Sequence, residues 1–71
     1  MLKEFNVVIE KDSDGYFVAS IPNLKGCHTQ AKSLDVLMER IQEAAMLCLE
    51  FEDGNSNPLE FVGIQKIAIK V

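Results

Sequence analysis

Hydrophobic and polar residues alternate along the first third of the chain, the signature of strands with one buried face. Phe5, Val7 and Ile9 alternate with Glu4, Asn6, Val8 and Glu10, which predicts a strand over residues 5–10. Asp12-Ser13-Asp14-Gly15 follows. Asp and Ser start turns by bonding nearby backbone, and Gly15 can take a positive φ without steric cost. A second strand over 16–21 then places Phe17, Ala19 and Ile21 on one face and Tyr16, Val18 and Ser20 on the other. Two such strands about a short turn make a hairpin. Pro22 has no N–H for a ladder, so the strand ends there and 22–26 is a loop. Cys27, Thr29 and Ala31 against His28 and Gln30 predict a third strand over 27–31.

The period then changes from two to between three and four. Leu34, Leu37, Ile41, Ala45 and Cys48 fall on one face of a helix running from 34 to about 50. Ser33 can cap its first turn, and Asp35 sits near the positive end of its dipole. Asp35, Glu39, Arg40, Gln42 and Glu43 occupy the other faces, but residues 44–49 are apolar all round. A helix with one solvated side does not need that, so Met46, Leu47 and Leu49 are candidate contacts with a second copy of the chain. After a polar loop over 52–58, Ile67, Ile69 and Val71 alternate with Lys66, Ala68 and Lys70. This predicts a fourth strand over 64–71. The order β-β-β-α-β describes an α+β fold, a mainly antiparallel four-stranded sheet with one helix packed on one face. Strand four would join beside strand one, parallel to it, through a right-handed crossover. Phe5, Val7, Ile9, Phe17, Ala19, Ile21, Ile67 and Ile69 would face the helix. Asn6, Val8, Tyr16, Val18 and Ala68 would form an open face that is half apolar, and such a face suggests a partner.

With 71 residues the chain is one small domain. A chain this short buries only about 60% of its unfolded surface and gains from oligomerising, as a dimer or tetramer. Its hydrophobic fraction of 48% and charged fraction of 25% are those of a globular protein. Eleven acidic against seven basic residues give a net charge of −4. Such a surface repels nucleic acid and attracts a basic protein. No secretory pattern follows Met1-Leu2-Lys3-Glu4, and no apolar run approaches the ~20 residues of a membrane span. A cytoplasmic protein without membrane contact is expected, and with it Cys27 and Cys48 as free thiols rather than a disulfide.

The chemistry that would make an enzyme is missing. Cys27 and His28 are neighbours on a strand and point to opposite faces, so they form no dyad. Two cysteines and one histidine fall short of a zinc set. Asp12 and Asp14 flank a glycine turn, but turn formation accounts for both without a calcium ion. No phosphate-binding glycine loop and no Ser-His-Asp set is present. No catalytic residue, cofactor or metal is expected. Asp35, Glu39 and Glu43, at four-residue steps, form an acidic stripe that is either a solvated face or a docking surface for a basic partner. Tyr16 and Val18 on the open sheet face are the other candidate partner-binding residues. Tyr16 has few basic neighbours along the chain.

The run Asp14-Gly15-Tyr16-Phe17-Val18-Ala19-Ser20-Ile21-Pro22-Asn23-Leu24-Lys25-Gly26-Cys27-His28-Thr29-Gln30 resembles the HicB family of bacterial and archaeal antitoxins. That family combines an acidic-Gly-Tyr turn, an aromatic-rich strand, a Pro-Asp/Asn-Leu-Pro-Gly-Cys loop and a Thr- or Ser-capped helix with Glu-Ala, matched here by Gln42-Glu43-Ala44-Ala45. Lys25, Ala31 and Val36 depart from the proline, glycine and capping glutamate usual at those places. The resemblance implies a partial RNase H-like sheet without nuclease activity. It implies binding to a small basic HicA-type toxin, an mRNA-cleaving ribonuclease, whose active surface the antitoxin covers. Many members add a C-terminal DNA-binding domain. Residues 1–71 read as the single antitoxin domain without it. The alternative is an orphan oligomeric module of the same fold with no toxin partner.

Overall fold

The computed structural model describes residues 2–50 and 60–71. Three strands, β1 (Val8–Lys11), β2 (Phe17–Ser20) and β3 (His28–Ala31), precede one helix, α1 (Leu34–Glu50). The strands form an antiparallel sheet in the order β1-β2-β3. Ile9 lies opposite Ala19 and Lys11 opposite Phe17, while Phe17 faces Ala31 and Ala19 faces Thr29. This register puts the alternating apolar residues on a common face, as the period-two pattern requires.

Local chemistry sets both connections. At the hairpin, the Asp12 carboxylate accepts from the backbone N–H of Asp14 at 3.0 Å and of Tyr16 at 2.9 Å. Gly15 completes the turn at φ 89°, where a side chain would be strained. The second connection is more than a solvated loop. The Leu24 amide donates to the Ile21 carbonyl and the Cys27 amide to the Leu24 carbonyl. The two bonds fold the segment over so that the Leu24 side chain is buried with Ile21 and Cys27.

The helix begins and ends where its spacing predicts. The Ser33 hydroxyl accepts from the Val36 amide at 3.3 Å, and the Ser33 carbonyl accepts from the Leu37 amide at 3.0 Å. Leu37 and Ile41 are fully buried against Ala19, Ile21, Leu24, Cys27 and Ala31. Phe5, Val7, Phe17, Ala44, Ala45, Cys48 and Leu49 pack around that centre. The helix lies over β3 and β2 rather than over β1. Strand pairing starts at Val8, three residues later than the alternation predicts, although Phe5 and Val7 still touch the core.

The larger difference lies at the end of the chain. Residues 60–71 form no strand, and the sheet of the described residues has three strands, not four. Ile67 and Ile69, expected to face the helix, are 73% and 72% exposed. Alternation shows that a segment can line a sheet, but a strand exists only where a neighbour supplies the ladder of hydrogen bonds. Among the described residues no strand pairs with this segment. The polar loop expected over 52–58 lies outside the described residues.

Candidate partner-binding surfaces

The outward side of α1 is set by the inward one. With Leu37 and Ile41 buried, a rotation of 100° per residue turns Asp35, Glu39 and Glu43 away from the sheet. All three are exposed. Met46 and Leu47 extend the same outward side toward the helix end and are 69% and 57% exposed. Leu49 is half-buried and packs on the core, so of the three candidate self-contacts only Met46 and Leu47 stand free of it. An acidic row thus runs into an apolar end on one helix surface.

Tyr16 and Val18 lie on the other side of the molecule. They are half-buried on the sheet face that the helix does not cover. The sparse basic surroundings of Tyr16 in the sequence do not hold in space. The Lys32 ammonium sits 5.3 Å from the centre of the Tyr16 ring, a cation–π distance. Tyr16, Lys32, Ser33, Val36 and Arg40 line a shallow open groove of about 430 Å³ at the edge of β3. Arg40 donates from Nη1 to the Gln30 carbonyl at 2.8 Å. The structure therefore separates the five candidates: three acids on the helix surface, and Tyr16 and Val18 on the opposite sheet face beside two cations. No local pattern marks Lys32 or Arg40 here, because each arrives from a different element.

The two cysteines, 21 positions apart in sequence, meet in the core. Both are free, Cys27 buried and Cys48 half-buried. Burial pushes the Cys27 thiol up to about 12, helped by its hydrogen bond to Cys48. A thiol that ionises late is a poor nucleophile, which agrees with a packing role for Cys27. The shift has a pH consequence. A folded-state value above the unfolded one contributes stability that is complete below about pH 9 and is lost as pH rises toward 12. Chemical denaturation followed from pH 8 upward should show this loss, and a Cys27→Ala chain should show less of it. Equal alkaline slopes in the two chains would remove Cys27 as the cause.

His28 bonds through Nδ1 to the Gly26 carbonyl at 3.1 Å and is exposed. Among the described residues, no three His, Cys, Asp or Glu side chains gather to hold a metal ion. No described helix is long and apolar enough to cross a membrane.

The chain has relatives that match nearly its whole length. Residues 5–69 match the model of a family described as HicB_like antitoxin of bacterial toxin-antitoxin system. A "UPF0150 protein" of Archaeoglobus fulgidus is 55% identical over 71 residues, covering 94% of this chain and 96% of its own. A second UPF0150 protein, from Synechocystis, is 43% identical over 67 residues with the same coverage, 94% and 96%. A third, from Thermotoga maritima, is 30% identical over 69 residues, covering 96% and 92%. With nearly its whole length matched, this chain belongs to the HicB-like antitoxin family.

Proposed function

We propose that this chain neutralises a small basic HicA-type ribonuclease toxin by lying across its RNA-binding surface in the cytoplasm. The exposed acidic row Asp35, Glu39 and Glu43 carries this reading. A ribonuclease must present clustered cations to RNA phosphates, and a row of carboxylates on a rigid helix competes for those cations. The helix acids suit that partner better than Tyr16, whose ring carries the Lys32 ammonium, a charge that would repel it. The chain breaks and makes no bond in this role, which is occlusion. It uses no metal or cofactor and no contact of its own with nucleic acid. It acts as a homo-oligomer, with Met46 and Leu47 among the apolar surface available for self-contact. A fourth strand, completing a partial RNase H-like sheet, belongs to the same reading.

The test is inhibition of RNA cleavage by a purified HicA-type toxin as this chain is titrated in. Stoichiometric loss of cleavage, relieved by high salt, is expected. Full toxin activity in the presence of excess chain would leave an orphan oligomeric module of this fold.

A further inference from the structure

The segment over residues 62–71 is apolar, alternating and exposed, and the sheet has a backbone edge open to receive it. We infer that this arm adds as a strand to β1 of a second copy of the chain, and that two copies exchange arms reciprocally. The inference rests on the homo-oligomeric part of the reading above and assigns the segment that makes the contact.

Hydrogen-bond parity identifies the edge. The Asp12 amide donates to the Tyr16 carbonyl at 2.9 Å, so Asp12, Glu10 and Val8 pair inward to β2. The backbone groups of Ile9 and Lys11 then point away from the sheet, since inward and outward pairs alternate along an antiparallel strand. At the other side, the Ile21 amide donates to the Cys27 carbonyl at 3.0 Å, which turns His28 and Gln30 outward. There the Arg40 guanidinium already occupies the Gln30 carbonyl. The β3 edge is partly taken, and among the described residues no strand pairs with the outer edge of β1.

Side chains beside the open edge fit the arm. Because α1 covers β3 and β2, the inner face of β1 is left uncovered, and Ile9 is 44% exposed there. The helix flank opposite Arg40 carries Leu34 and Met38, both exposed, and rotation along the helix turns it toward the β1 side. An arm with Ile67, Ile69 and Val71 facing in would fill the space beside Val7 and Ile9. Its other face would set Lys66 and Lys70 next to Glu4 and Glu10, opposite charges on adjacent strands. An exposed, apolar segment beside an unpaired edge is a template for association unless it is covered.

The partner is a second copy rather than the same chain because residues 62–71 stand exposed instead of returning to their own β1. Exchange is also reciprocal. Each arm brings several side chains of roughly 100 Å² and covers a like area, so the pair approaches the ~1,600 Å² of a standard stable interface.

Full-length chain should sediment as a dimer at micromolar concentration. Changing Ile67 and Ile69 together to Asp should raise the dissociation constant at least tenfold and leave the helical circular dichroism intact, since both side chains lie outside the core. In a mixed sample of isotope-labelled and unlabelled chains, filtered NOEs should connect the Ile67 or Ile69 methyls of one copy to Val7 or Ile9 of the other. A monomeric chain would overturn arm exchange and the oligomeric reading together. A dimer that survives the double substitution, or arm contacts found only within one chain, would overturn arm exchange alone.

Discussion

A Leu37→Ala chain is expected to lose about 2–5 kcal/mol of folding stability, the range for removing a fully buried leucine. Leu37 lies at the centre of the contact between α1 and the sheet and has no exposed surface. A domain of 71 residues has only about 4–10 kcal/mol in total. The substitution should therefore leave a large unfolded fraction at physiological temperature, with loss of the cooperative thermal transition. Leu47→Ala is the control. Its side chain is mostly exposed, so it should shift stability by no more than about 0.5 kcal/mol when measured on dilute monomer. Urea titration of both variants decides the matter. A loss below about 1 kcal/mol for Leu37→Ala would mean that the helix is held by something other than this contact.

Reversing Glu39 and Glu43 together to Lys should weaken toxin binding by about 2–3 kcal/mol at low salt, roughly 30- to 150-fold. Both carboxylates are exposed, so the fold tolerates the change. Each reversal replaces an attraction with a repulsion across the interface, and most of the loss should appear in the association rate. Raising the salt screens wild type and variant alike, so the two affinities should converge. Tyr16→Ala, on the opposite face of the molecule, should bind the toxin within a factor of a few of wild type. Unchanged low-salt affinity in the Glu39/Glu43 variant, with a large loss on Tyr16→Ala, would move the docking surface to the sheet.

The elements that could be read from the sequence are those decided by neighbours in sequence. Ser33 and the spacing of Leu34, Leu37 and Ile41 fix the helix locally, and its observed span, Leu34–Glu50, matches. The hairpin was equally legible, because Asp12 and Gly15 set its turn and the turn sets the register. Leu24 was hidden by its polar surroundings, Asn23 and Lys25. Nothing in a local pattern reveals that two backbone bonds carry it into the core. Lys32 beside Tyr16 and Arg40 on β3 were also out of reach, since they depend on how the helix start sits against the sheet. The acidic row was legible as a row. Its separation from Tyr16 and Val18 required knowing which face the helix covers. For residues 64–71 the pattern predicts a strand that the described residues do not form, because pairing depends on a neighbour that alternation cannot supply.

The Arg40 guanidinium on the Gln30 carbonyl has a bearing on how far such a sheet can grow. A molecule with two bare flanks could add copies at both and lengthen without limit, the route to fibres. With the Gln30 carbonyl taken by the chain's own Arg40, the far flank offers an incoming strand a poorer rail than β1 does. Addition at β1 is thereby favoured over addition at the far flank, which biases association toward a closed pair over an open row.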